Sequence, residues 1–252
     1  MKIIFVSSVG TNASKNGIIP SSHDVDSTIA TMDELVKFNE EAKEIAKSIT
    51  GKTRDQVFVY SATPISSMQT TALLTTALDH RNLFNPDNLV YDQRINSRNY
   101  GQLEGLDMAV LDNPKLMMKK PSQAIGYIKS EMGLSALEIE PKNLYTGRLG
   151  DFLCELYFTH GDKNHTVIVI ASSDVFNMLQ KDDELHSVLY FGHEKPTDMG
   201  GNKKDIKTIG NGEYCEIEIG SPNYSQTTGK FIPYWEKRAR ENQIAILEKG
   251  KF

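Results

Sequence analysis

Short apolar runs alternate with amphipathic stretches along most of this chain. Lys2–Val6 carries four successive apolar residues, Ile3, Ile4, Phe5 and Val6, the pattern of a strand buried on both faces. A polar, glycine-containing loop follows to about Ser27. Thr31, Met32, Asp33 and Glu34 then have capping-box spacing, and Leu35, Phe38, Ala42, Ile45, Ala46 and Ile49 recur on one helical face. Val57–Tyr60 predicts a second strand, and Pro64 suits the first turn of the helix after it. That helix is expected to bury Met68, Ala72, Leu73 and Ala77, and Leu89–Tyr91 predicts a third short strand. Arg148–His160 predicts a helix burying Leu149, Phe152, Leu153, Leu156 and Tyr157. Thr166–Ile170 is the clearest buried strand, Asp174–Gln180 opens another helix, and Cys215–Ile219 predicts the last strand.

Strands alternating with helices imply an α/β fold: three layers, with a mostly parallel central sheet flanked by helices. One domain is expected over 1–220, with a helical insertion at about 106–145 that Pro114, Pro121 and Pro141 break. Lysines and glycines over 192–212 predict a loop, and 221–252 a C-terminal tail carrying the only tryptophan, Trp235. A chain of 252 residues suits one such core. Charged residues at 24% and hydrophobic ones at 39% fit a soluble globular protein. The net charge of −5 argues against nucleic acid and against an anionic membrane, since both call for a basic face. No apolar run is long enough to span a bilayer, and the N-terminus lacks the regions of a signal peptide. Cys154 and Cys215 lack metal-ligand spacing and read as reduced thiols in a cytoplasmic protein. No cofactor or metal is expected.

Three predicted strands end in small hydroxyl-bearing turns: Val6-Ser7-Ser8, Tyr60-Ser61-Ala62-Thr63 and Ala171-Ser172-Ser173. Open α/β sheets bind ligands outside the carboxyl ends of their strands. Ser7, Ser8, Ser61, Ser172 and Ser173 are therefore expected to line one crevice. A single serine at such a junction is ordinarily a cap or turn residue, which accounts for Thr63 and Ser173. The recurrence at three junctions is what points to a crevice. Of six histidines, His80, His160 and His165 read as surface residues, and His23 and His193 as exposed loop residues. A Ser-His-Asp triad would require Ser8 or Ser172 with His23 or His193 and Asp174, and no Gly-x-Ser-x-Gly elbow supports it.

The stretches Lys2-IIFVSSVGTN, Val59-YSATPISSMQTTALL, Ile95-NSRNYGQLEGL and Thr166-VIVIASSDVFNML resemble the histidine phosphatase superfamily, most closely its phosphoglycerate-mutase-like branch. The likeness covers roughly residues 1–180 and the strand near Cys215. It puts Ser7 at the position of the family's first arginine and Ser8 at that of the nucleophilic histidine. Thr11 follows in register, and Ser66 falls at the second arginine. Ser97 stands at the proton-transferring glutamate and Ser172 at the second histidine, while Arg98, Tyr100 and Gly101 are retained.

The resemblance implies a scaffold without its chemistry. The family's reaction needs an imidazole to attack phosphorus, cations on the phosphoryl oxygens and a carboxyl group to protonate the leaving oxygen. Serine supplies no charge and is a poor nucleophile without a positioned base. The expected protein is catalytically inactive and sequesters a small, phosphorylated or nucleotide-like ligand. Its expected binding residues are Ser7, Ser8, Thr11, Ser66, Ser97, Arg98, Tyr100, Arg148, Ser172 and Ser173. Lys119, Lys120, Lys203 and Lys204 are further sources of positive charge, read first as solvated surface. The family's dimers make self-association an expectation. A retired enzyme kept as a protein–protein scaffold is the rival reading, and a hydrolase with relocated catalytic groups a weaker one.

Overall fold

The computed structural model describes residues 2–19, 31–106, 139–161, 163–181 and 209–218. Most of the expected insertion, nearly all of the 192–212 loop and the whole tail lie outside these residues. So do His23, His186, His193, Trp235, Lys119, Lys120, Lys203 and Lys204. Five strands form one sheet: β1 (Lys2–Ser7), β2 (Val57–Ser61), β3 (Leu89–Tyr91), β4 (Thr166–Ala171) and β5 (Tyr214–Glu218). The helices are α1 (Asn12–Lys15), α2 (Met32–Ser48), α3 (Ile65–Asp79), α4 (Lys142–His160) and α5 (Ser173–Lys181).

The strand order is β3-β2-β4-β1-β5. β4 runs parallel to β1 from Lys2↔Thr166 to Ser7↔Ala171, and parallel to β2 from Val57↔Thr166 to Ser61↔Ile170. β5 is antiparallel to β1, the one departure from a parallel sheet among these pairings. Period-2 alternation divides the strands between two faces. Ile3, Phe5, Tyr60, Val167 and Val169 meet Leu149, Phe152, Leu156 and Phe176 of α4 and α5. Ile4, Val6, Val59, Ile168 and Ile170 meet Phe38, Ile45, Leu74 and Leu78 of α2 and α3. All six residues of β4 are buried, as a central strand covered on both faces requires.

Helix α2 starts where the capping residues predict: the Thr31 hydroxyl accepts from the Glu34 amide and donates to its carboxylate. Helix α3 departs from expectation. Met68 and Ala72 face solvent, and the buried face is Ser66, Ser67, Thr70, Thr71, Leu74, Ala77 and Leu78. Hydroxyls can face inward because each threonine satisfies itself, Thr70 donating to the Ser66 carbonyl and Thr71 to that of Ser67, both at 2.7 Å. Pro64, not Thr63, occupies the N-cap of α3, and Thr63 bonds to Asn96 instead. Helix α4 begins six residues before the expected Arg148, on the Pro141 that reads in sequence as a break.

His160 is the other correction. It is 1% exposed, not a surface residue. Its Nε2 meets the Tyr60 hydroxyl at 2.9 Å and its Nδ1 meets Nδ1 of His165 at 2.9 Å, while both imidazoles lie against Phe58. Burial, then the neighbouring His165 and Lys163, lower its pKa to about 4. The unfolded chain binds the proton at about pH 6.5, so neutral His160 contributes stability above that pH. The contribution is lost as pH falls from about 6.5 to 4. The expected loss is roughly 2–3 kcal/mol, read from denaturant midpoints across that range. His160→Gln, which keeps a polar side chain without the titration, should flatten that part of the profile.

Candidate active site

The carboxyl ends of β1, β2 and β4 meet at one edge of the sheet. Ser7 pairs with Ala171, and the Ser8 amide donates to the Ala171 carbonyl at 2.7 Å. The Val9 amide donates to Thr70 Oγ1 at 3.1 Å, and that oxygen donates to the Ser66 carbonyl. This chain of bonds sets the turn after β1 against the first turn of α3. Ser7, Ser8 and Ser66 are all buried there. Ser7 Oγ donates to the Ser8 carbonyl at 3.3 Å, whereas the Ser8 and Ser66 hydroxyls make no hydrogen bond with a described residue. Ser61 lies deeper and is structural: it accepts from Thr71 and donates to the Ala62 carbonyl. Thr11 caps α1 in a reciprocal pair with Ser14. Gly10 sits beneath a cover, since a Cβ there would lie 3.0 Å from Glu34 Oε1 and 3.2 Å from Asn211 Nδ2. Asn211 also accepts from Ser173 at 3.3 Å.

The segment 94–99 forms the other side. Asn96 grips the turn after β2, accepting from the Thr63 amide at 2.9 Å and donating to Thr63 Oγ1 at 2.8 Å. Ser97 and Ser172, 75 residues apart, come within 2.6 Å through their hydroxyls. Both donate to Asp174 Oδ1, Ser97 from 3.2 Å. Asp174 Oδ2 has no hydrogen bond from a described residue. Tyr100 and Tyr145 are held above the usual phenol pKa, first by burial and then by the Asp174 charge. Tyr145 is fully buried, and its hydroxyl has no hydrogen-bond partner among the described residues.

An ion pair locks this segment in place. Arg148 Nε donates to Glu140 Oε1 at 2.7 Å and Nη2 to Oε2 at 3.0 Å. The same guanidinium reaches the carbonyls of Arg94 (2.5 Å), Asn96 (2.7 Å) and Ser97 (2.9 Å), and it covers the Tyr145 ring at 4.7 Å. The Asn99 amide donates to Glu140 Oε2, and Arg98 Nε to the Glu140 carbonyl at 2.8 Å. Burial raises the Glu140 carboxyl, but the bonds from Arg148 and Asn99 outweigh it and leave its pKa lowered. Arg148 thus holds Ser97 in position through protein acceptors on all three of its nitrogens. Arg98 differs: it lies over the Tyr100 ring at 5.8 Å, and its Nη1 and Nη2 have no hydrogen-bond partner among the described residues.

Of the expected binding residues, the structure brings Ser7, Ser8 and Ser66 to one side of this edge and Ser97, Ser172 and Tyr100 to the other. Ser173 turns toward Asn211, and Thr11 is a cap. Sequence reasoning did not assign Glu140, Tyr145 or Asn96, and it named Asp174 only as a weak triad partner. The one usable signal was Asp174 two residues after Ser172 in a helix's first turn, where a carboxylate suits the macrodipole. Among the described residues, no three His, Cys, Asp or Glu side chains gather as a metal site, and no helix is long and apolar enough to cross a membrane. Arg148→Met should cost about 2–4 kcal/mol by leaving Glu140 and three carbonyls without their donor. Arg148→Lys should recover less than half, because an ammonium cannot reproduce the fork. Denaturant melts measure both, and faster amide exchange over 96–99 should accompany the loss.

No family model and no curated protein matches the sequence. Solved structures do. One from Escherichia coli K-12, described as an α-ribazole-5′-P phosphatase, aligns with a TM-score of 0.55 at 12% identity, covering 88% of this chain and 92% of that one. The mycobacterial glucosyl-3-phosphoglycerate phosphatase in complex with VO3 aligns at 0.54 with 11% identity, covering 86% and 90%. YhfR of Bacillus stearothermophilus aligns at 0.51 with 11% identity, covering 87% and 92%. The serine-lined edge of this chain is therefore built on the fold of the phosphoglycerate-mutase-like histidine phosphatases.

Proposed function

We propose that this protein binds and sequesters a small phosphorylated or nucleotide-like ligand at the serine-lined edge and does not turn it over. The observation that carries the reading is the meeting of Ser97, Ser172 and Asp174 beside Ser8, all at the sheet edge where this fold class binds ligands. The resemblance puts the family's glutamate and two histidines at those serines. Hydroxyls there can donate and accept, but they supply neither the nucleophile nor the charge of phosphoryl transfer. His80 caps the far end of α3, and His160 and His165 precede the opposite end of β4. None of these three can stand in as the nucleophile. Arg98, with its outer nitrogens unpaired among the described residues, and the first amides of α3 are the groups suited to an anion.

The scaffold reading draws on a different observation. Met32, Val36, Leu144 and Phe158 are exposed apolar side chains on α2 and α4, Phe158 to 79%. Two measurements separate the readings. Mass spectrometry of the denatured protein should release a stoichiometric phosphorylated compound, whereas an empty protein with partners bound through α2 or α4 would favour the scaffold. Incubation with p-nitrophenyl phosphate should yield no more phosphate than buffer. Release that Ser8→Ala abolishes would overturn inactivity and bring the relocated-hydrolase reading forward.

A further inference from the structure

Three oxygens from distant parts of the chain crowd together at this edge. Ser97 Oγ lies 2.6 Å from Ser172 Oγ and 3.2 Å from Asp174 Oδ1, and Ser172 Oγ also bonds to that carboxylate oxygen. All three residues are half-buried, so the cluster is open to solvent. The Asp174 carboxylate has no ion-pair partner among the described residues. Arg148 is engaged by Glu140 and three carbonyls, and Arg98 by the Glu140 carbonyl and the Tyr100 ring. An unpaired carboxylate at an edge that receives a phosphorylated ligand repels it unless a cation stands between them.

Distances decide which cation fits. Six oxygens about 2.0–2.1 Å from Mg2+ stand about 2.9 Å from their neighbours around the octahedron. The separations of 2.6 and 3.2 Å bracket that value. Ca2+ holds its oxygens at about 2.3–2.6 Å, which spreads six of them to about 3.4 Å. An ammonium group reaches acceptors at about 2.9 Å along tetrahedral directions and sets them about 4.7 Å apart. This cluster is too tight for one. A site of hydroxyls and one carboxylate leaves coordination positions for water and for a phosphoryl oxygen, the arrangement in which Mg2+ is commonly held beside a phosphorylated ligand.

The geometry points to a magnesium-sized cation site on Asp174 Oδ1, Ser97 Oγ and Ser172 Oγ, with its remaining positions filled by water and by the phosphoryl group of the ligand. The inference rests on the binding reading above and deepens it: the ligand is held as its magnesium complex, and the ion supplies the positive charge that serine side chains lack. Asp174 provides the charge of the site, and the two serines set its size. Arg148 acts at one remove, holding the Ser97 carbonyl at 2.9 Å and with it the position of that hydroxyl. No bond of the ligand is made or broken.

The test uses Mn2+, which takes the same oxygen ligands and whose free form is counted by electron paramagnetic resonance. The full-length protein should bind a single Mn2+ per chain, displaced by Mg2+. Asp174→Asn should weaken that binding about tenfold or more, and Ser97→Ala and Ser172→Ala about threefold or more each. Asp79→Asn, at the far end of α3, should leave it unchanged. Circular dichroism and thermal melts should show every variant folded. Inorganic phosphate and Mn2+ should each tighten the binding of the other by the same factor, and this coupling should vanish in Asp174→Asn. Absence of stoichiometric Mn2+, or binding that survives Asp174→Asn, overturns the site, and phosphate that still binds without metal then leaves the binding reading standing. Ca2+ displacing Mn2+ better than Mg2+ does would overturn the assignment of size. Mn2+ bound through Asp174 with no response to phosphate upholds the cation site and overturns the phosphorylated reading.

Discussion

Everything at the serine-lined edge depends on β4 being inserted between β1 and β2. A strand in that place loses water on both faces and both sides, so it must be apolar throughout, and Thr166–Ala171 meets this with one threonine among five apolar residues. The insertion brings three strand ends side by side that are far apart in the chain. It also fixes which residues turn outward: Ser7 and Ala171 end in register, so the next residues, Ser8 and Ser172, open onto the same edge. Hydrogen bonds from Ser8 to β4 and from Val9 to α3 then hold the turn after β1 in place.

The second constraint is electrostatic. An edge lined with arginines and histidines would stabilise a doubly charged phosphoryl group, and hydrogen bonds to charged groups contribute about 1.5–3 kcal/mol each against about 1 for neutral ones. Here the edge presents hydroxyls, and its charges are arranged locally. Glu140 neutralises Arg148 and anchors Arg98, while Asp174 sits among hydroxyls and phenols. Both signs of charge thus lie on the Ser97 side of the edge, where Tyr100 feels Asp174 and Arg98 alike.

Chain positions of the strands and most helices were legible because burial imposes periodicity, and the apolar runs at Ile3–Val6 and Val167–Ala171 leave little choice. The convergence of serine-bearing turns was legible for the same reason, through the rule that ligands sit beyond strand carboxyl ends. The inward face of α3 was not, since Thr70 and Thr71 look polar in sequence and become burial-compatible only by bonding the preceding turn. His160 was misread because its partner, Tyr60, lies 100 residues away. Glu140 sits just before a proline in what reads as an insertion, and nothing local marks it as the counter-ion of Arg148.

The amino-acid sequence by itself determined the layers, the strands and the chemical type of the edge, because hydrophobic periodicity and residue identity are local properties. Only the tertiary structure decided which hydroxyls meet, which arginine is tied up and which phenol finds no partner among the described residues. Those outcomes depend on distances between segments 30 to 100 residues apart, and a hydrogen bond is made or lost within a few tenths of an ångström.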